Sequence, residues 1–179
     1  MFRPMNNREK NSYVRERILE ALLAMIGEQE FGSITVSALT ERAGVGRASF
    51  YRNFDSKEDV LRQESERLTG IWRLRWERQS GSADNFLVSL LDFYKEHTPF
   101  YLALYRAGLF QMVLDDYLRW SEITPELPNA AAYFKSALAY LTYGWVVEWA
   151  HRGMRESGTE LAGMIAESQQ KSSRPPPER

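Results

Sequence analysis

The chain contains no cysteine. That excludes disulfides and thiolate metal sites and fits a reducing, cytoplasmic setting. Histidine is almost as scarce, with His97 and His151 alone. One histidine beside the helix-spaced carboxylates Asp92 and Glu96 reads as a solvated face, because structural zinc wants four ligands; no metal site is expected. No apolar run approaches the ~20 residues that a membrane helix needs, and Met1–Arg8 has no apolar signal core, so neither membrane nor secretion is expected. There is no alternating strand pattern, no internal repeat and no glycine-rich phosphate loop. No Ser/His/Asp or Cys/His set occurs either. Catalysis has no candidate residues, so the sequence reads as a non-enzyme without a cofactor.

A net charge is also lacking. Lysine and arginine number 23, aspartate and glutamate 24, for a formal charge of −1. Taken whole, this argues against nucleic acid, whose binders carry a basic footprint. The average hides two basic stretches. Arg3 to Arg17 holds five basic and two acidic residues, and Arg42 to Lys57 holds four basic and one acidic. What the chain does have is apolar material, 44% of 179 residues, enough for a packed core.

Its apolar residues recur at helical spacing. Val14, Ile18, Ala21, Leu22, Met25 and Ile26 form one stripe, ending by Gly32. Thr35 offers a cap for a short helix with Val36, Leu39 and Ala43 on one face, and Gly44 closes it. A third helix is expected from about Arg47 to Asn53, burying Ala48, Phe50 or Tyr51, and Phe54. Asp55-Ser56-Lys57-Glu58 reads as a capping box with Asp55 as cap, opening a long helix to about Trp76. Gln79 to Asp84 is a polar break. Further helices are expected around Phe86–Tyr94, Pro99–Tyr105, Gly108–Trp120 and Ala130–His151. Ser157-Gly158-Thr159-Glu160 is a second capping box, opening a last helix over Thr159–Gln170. The proline-rich tail from Lys171 to Arg179 is expected to be disordered. The fold class is therefore all-α: three helices in residues 10–56, then about six in residues 57–170.

Two short helices meeting at Ala43-Gly44-Val45, with small or apolar residues where they cross, have helix-turn-helix geometry. Ala43-Gly44-Val45, Arg47-Ala48-Ser49-Phe50-Tyr51-Arg52-Asn53-Phe54 and Ser56-Lys57-Glu58 together resemble the tetracycline-repressor-like (TetR) regulators. The resemblance runs from about Ser12 to Leu68. Gly144-Trp145, Glu148-Trp149, Gly153 to Ser157 and Glu160-Leu161 are similar to the C-terminal domain of a TetR subgroup common in Firmicutes. This likeness implies roles. Arg47 would meet a guanine edge or a phosphate. Ser49 would face the groove, and Tyr51, Arg52 and Lys57 would meet the backbone. Thr35 would cap a helix whose N–H groups approach a phosphate. Gly46 and Asn53 complete the expected DNA-facing set. Gly46 departs from the family's usual Ser or Thr: glycine caps nearly as well, but it removes a hydroxyl. From the residues alone, Tyr51 reads equally as core, and the basic N-terminal stretch as a solvated arm or a tracker of phosphates.

The C-terminal half is rich in aromatic residues. They read as ordinary core and dimer face, or in part as an effector pocket between helices. The expected pocket liners are Phe93, His97, Tyr101, Tyr105 and Tyr140. The helices over 130–151 and 159–170 are expected to pair with their two-fold copies. Gly144, Trp145, Glu148, Trp149, Leu161 and Met164 would lie in that interface. The expected partners are double-stranded DNA with a palindromic site, a second copy of the chain and a small-molecule effector. The function implied is a homodimeric, effector-responsive repressor. The other reading is a co-regulator that acts through a protein partner and binds DNA weakly.

Overall fold

The computed structural model describes residues 7–78 and 86–172. Among these, nine α-helices and one 3-10 turn occur, and no strand. The helices are α1 (Asn7–Glu28), α2 (Val36–Ala43), α3 (Arg47–Tyr51), α4 (Lys57–Arg78), α5 (Phe86–Glu96), α6 (Thr98–Arg106), α7 (Gln111–Trp120), α8 (Asn129–His151) and α9 (Gly158–Ser172); the 3-10 turn is Phe31–Ser33. Arg3, the Gln79–Asp84 break and most of the tail from Lys171 lie outside the described residues.

The first three helices share one small core. Ile18, Leu22, Met25 and Ile26 of α1 are buried, as their three- and four-residue spacing requires. They meet Leu39 and Ala43 of α2 and Phe50 of α3 in one apolar cluster. Helix α3 has only five residues, far below the ~12–15 at which an isolated helix becomes even marginal in water. It exists because Phe50 is fully buried and Phe54, just beyond it, nearly so. Ala48, expected on the buried side, is exposed. So short a helix offers one inward position, and Phe50 takes it. Tyr51 is 59% exposed and meets Phe50 edge-on, which removes it from the core.

Helix α4 opens one residue later than the sequence suggests. Ser56 is the cap: its Oγ accepts the Asp59 N–H at 3.1 Å. Asp59 reaches back to accept the Asp55 N–H at 3.0 Å. The box is thus Ser56 with Asp59, not Asp55 with Glu58. The register follows from burial. Asp59 is enclosed and also accepts from the Gln63 amide at 2.8 Å and from the Arg62 guanidinium. Burial alone would push its carboxyl up, but these donors outweigh it and hold the pKa below the ordinary value.

From there α4 runs through both halves of the molecule, against α1 at one end and α5 and α7 at the other. Its contact with α7 contains a buried polar knot. Ser65 donates to the Asp116 carboxylate at 2.6 Å, and Thr69 adds a weaker bond at 3.3 Å. Burial raises the Asp116 pKa; Ser65, Arg119 and Thr69 offset this only in part.

The last helix packs on α5 more extensively than any other helix pair does. Its capping box forms as the sequence suggests, with Ser157 N–H on Glu160 at 2.8 Å and Glu160 N–H on Ser157 Oγ at 3.1 Å. Gly158 sits directly on α5. A Cβ there would lie 2.5 Å from the Asp92 backbone nitrogen and 2.8 Å from the Leu91 carbonyl carbon. Neither atom can yield without moving the α5 backbone. Gly158→Ala is therefore expected to destabilise the fold by about 1–3 kcal/mol, read as a lower midpoint in thermal or urea unfolding; an unchanged midpoint would contradict the close approach.

Asp116 generates a pH prediction. A carboxylate whose folded pKa is raised contributes stability below its unfolded value, near 3.8, and loses it as pH rises through the folded pKa. Asp116→Asn should gain on the wild type in urea unfolding between pH 4 and pH 7, with the advantage growing toward pH 7. An advantage that shrinks with pH would mean that the ion pair to Arg119 outweighs burial.

Candidate nucleic-acid interface and regulatory groove

Helices α2 and α3 are joined by a turn that only a left-handed residue can make. Gly44 has φ 67°, and its N–H donates to the Glu41 carbonyl at 3.1 Å while Val45 N–H reaches Thr40 at 3.0 Å. This paired closure ends α2 and redirects the chain at once into α3. Thr35 caps the start of α2 by accepting the Ala38 N–H at 3.1 Å. Gly46 occupies the cap position of α3 with an extended backbone, φ −75° and ψ 147°, and no side-chain bond. A Cβ there would meet nothing within 4 Å, so the missing hydroxyl reflects no lack of space.

Thr35, Gly46, Arg47, Tyr51 and Arg52 are exposed, and Ser49 and Asn53 are half-buried. Arg47 folds back on α2, donating to the Ser37 hydroxyl. Arg52 has no ion-pair partner among the described residues. Asn53 spends its amide on the Ser49 carbonyl at 2.8 Å, closing the end of α3. Arg42 pairs through both guanidinium nitrogens with Glu28 and so ties α2 to the end of α1. Its hydrogen bond to Glu28 raises the arginine pKa and lowers that of the glutamate.

Lys57 departs from its expected phosphate role. Its ammonium donates to the carbonyls of Phe31 at 2.6 Å, Ile34 at 2.8 Å and Gly32 at 3.3 Å. It also stands 4.5 Å from the Phe31 ring centroid. An ammonium has three protons, and all three are committed to the turn between α1 and α2. Lys57 thus clamps the start of α4 to the loop that precedes Thr35. Family resemblance could place a lysine at this position but could not reveal that the turn's carbonyls point at it.

Residues 18–63 match the family described as bacterial regulatory proteins, tetR family. The N-terminal segment is thus of the tetR type. Solved structures share its fold at low identity. Lin0861 from Listeria innocua is 16% identical with a TM-score of 0.74, over 96% of this chain and 97% of that one. The fatty acid degradation regulator FadR from Bacillus halodurans is 15% identical with a TM-score of 0.56, over 91% and 94%. No curated protein matches.

In the C-terminal half of the chain, the five expected pocket residues do not line one cavity. Phe93 and Tyr101 are buried beside a space of only about 10 Å³. His97 packs on Phe93, its Nε2 buried without a partner, and burial lowers its pKa. Tyr105 stacks on His151, one helical turn beyond Tyr101 on α6, and Tyr140 is 56% exposed. The roomy space lies elsewhere, a groove of about 730 Å³ between α4, α5, α7 and α8. Trp76, Phe86, Leu87, Leu90, Trp120 and Leu138 give it apolar walls, with Arg73, Glu77, Glu122 and Lys135 among its polar residues. Sequence periodicity marked Phe86, Leu87 and Leu90 as one helical stripe and carried no sign that four helices splay apart around them.

The expected interface residues also divide. Gly144, Glu148 and Met164 are exposed, while Trp145 and Leu161 are half-buried. Trp149 is buried inside the protomer, with the Lys95 ammonium 6.0 Å from its ring, so its area is already used. The exposed apolar face of α8 is instead Tyr133, Phe134, Leu138, Tyr140 and Leu141.

The Lys57 clamp carries a prediction. Lys57→Ala should destabilise the chain by about 2 kcal/mol in urea unfolding, because charged hydrogen bonds to three carbonyls are lost. Full stability combined with weaker, less salt-dependent DNA binding would instead return the ammonium to phosphate contact.

Proposed function

We propose that the protein is a homodimeric repressor that reads a palindromic operator with α3 and releases it when a small molecule occupies the regulatory half. The observation that carries this reading is the row of exposed Arg47, Tyr51 and Arg52, with half-buried Ser49 among them, on and just after a helix held by Phe50 and Phe54. Arg47 and Ser49 would read base edges, and Tyr51, Arg52 and the start of α2 at Thr35 would meet phosphates. Gly46 would leave room beside the DNA where related chains place a hydroxyl. Residues 10–56 would act as the DNA-binding domain and 57–170 as the regulatory one, in the cytoplasm where the operator is.

A second copy supplies the partner for α8 and α9. Tyr133 and Phe134 are about seven-tenths exposed, and Tyr140, Leu141 and Met164 more than half. An apolar face of this length along one helix is what a two-fold helical interface covers. Gly144, with nothing within 4 Å of its Cβ direction, would let the two α8 helices approach. The effector would enter the groove between α4, α5, α7 and α8. Its binding would favour a conformation whose recognition helices miss the ~34–36 Å spacing of successive major grooves.

The test is recovery of bound fragments from genomic DNA, followed by titration of the recovered site at two salt concentrations. A palindrome bound by a dimer is expected; weak, sequence-blind binding that vanishes with salt would favour the co-regulator reading. Arg47→Ala should weaken binding to that site by ~1–3 kcal/mol while leaving random DNA nearly unaffected. Equal loss on both would remove Arg47 from base reading.

A further inference from the structure

Arg47 is the first residue of α3, yet its side chain is held by α2. Its Nη2 donates to the Ser37 hydroxyl, ten residues back along the chain. Both residues are exposed, so burial does not force the contact. The two helices that bring them together are fixed from below. Leu39, Thr40 and Ala43 of α2 are buried, and so is Phe50 of α3. The Thr40 hydroxyl donates to the Ser37 carbonyl at 3.0 Å, which leaves the Ser37 hydroxyl to Arg47. No other residue among those described bonds that hydroxyl.

A hydroxyl holds an arginine in a different way from a carboxylate. Arg42, on the same helix as Ser37, is tied by both terminal nitrogens to Glu28, which fixes it and cancels its charge. Arg47 has no carboxylate partner among the described residues and keeps its full charge. It also keeps a complete donor edge. A guanidinium carries five N–H groups in one rigid plane, and they form two paired edges, Nε with Nη2 and Nη1 with Nη2. Nη2 has one hydrogen on each edge. Whichever of these Ser37 takes, the other edge retains both donors. Two parallel donors on one edge match the O6 and N7 acceptors that guanine shows in the major groove. An arginine without a tether has to give up its rotamer freedom when it makes that pair; one already tethered has less to lose.

We propose that Ser37 is a positioning residue for DNA reading: its hydroxyl orients the Arg47 guanidinium before DNA arrives, so that the free edge meets a guanine and discrimination at that base pair is set by α2 and α3 together. This rests on Arg47 reading a base.

Two measurements on the full-length protein test it. The first uses the site recovered from genomic DNA, with each G·C pair exchanged in turn. Arg47→Ala identifies the pair that Arg47 reads, as the one where discrimination is lost. Ser37→Ala is expected to lower discrimination at that same pair about fivefold, the cost of ordering one long side chain on binding, and to leave the other pairs and random DNA unchanged. Ser37→Thr, which returns a hydroxyl, is expected to restore it. Ser37→Ala added to Arg47→Ala should cost nothing further. Unchanged discrimination in Ser37→Ala, or a loss at a different pair, overturns the positioning role. An equal loss on every sequence also overturns it and makes Ser37 a phosphate contact. Loss of discrimination at no pair in Arg47→Ala removes the base-reading premise instead. The second measurement needs no DNA: nitrogen relaxation of the arginine Nε–H groups in the free protein. Arg47 is expected to be more ordered than Arg52 in the wild type and as mobile as Arg52 in Ser37→Ala, with equal unfolding midpoints because both side chains of the pair are exposed. An Arg47 as mobile as Arg52 in the wild type overturns the proposal whatever the DNA result.

Discussion

Everything in this molecule hangs on one helix. The 22 residues of α4 span about 33 Å at 1.5 Å per residue. At its start, Lys57 and Asp59 bind it to the turns before α2 and after α3. Near its end, Trp76 enters the aromatic wall of the groove, with Trp72 stacked on it. The attachments at both ends are short-range and directional. The helix between them therefore behaves as a rod rather than a hinge, and neither end can move without the other feeling it.

The two ends are held by different physics. At the DNA end, charged hydrogen bonds fix angles: the Lys57 ammonium on three carbonyls, and the Asp59 carboxylate on two amides and a guanidinium. At the regulatory end, the hold is mainly ring against ring, with Asp116 as the only buried carboxylate at the α4–α7 contact. Aromatic packing tolerates sliding better than a triply bonded ammonium does. The soft end is where a ligand could enter, and the stiff end is where a small rotation would have to arrive undiminished.

The sequence made the helices legible because their apolar residues repeat at a period that few other structures share. The helix-turn-helix was legible for a further reason: Gly44 and Phe50 each satisfy a requirement that almost no other residue meets. What was not legible was anything decided by a third dimension. The α4 cap moved from Asp55 to Ser56 because Asp59 is buried, and burial is a property of the packed chain. Lys57 looked like a phosphate ligand because the carbonyls it holds lie 23 to 26 residues back along the chain. Trp149 looked available for an interface because helical spacing gives a residue's face but not which neighbour covers it. The same ambiguity applies to Phe93, Tyr101 and Tyr105: Phe93 and Tyr101 face the small space beside α4, while Tyr105, a turn further along α6, packs on His151 of α8.

The lever sets how small a regulatory change can be and still matter. A tilt of α4 by about 5° about its groove end would carry its DNA end about 3 Å. Hydrogen bonds to base edges fail over a far smaller displacement, since their donor–acceptor window is about half an ångström wide. In the proposed two-fold assembly both α3 helices would move, and in opposite senses, so the error in their separation would double. The ligand then need not unfold or displace anything. It needs only to bind the tilted form more tightly, and each tenfold of such preference shifts the equilibrium by about 1.4 kcal/mol. An aromatic wall that can slide is the kind of site in which a small molecule can express such a preference. The five-residue α3, held by Phe50 and Phe54 and having no stability of its own, must follow wherever its supports go.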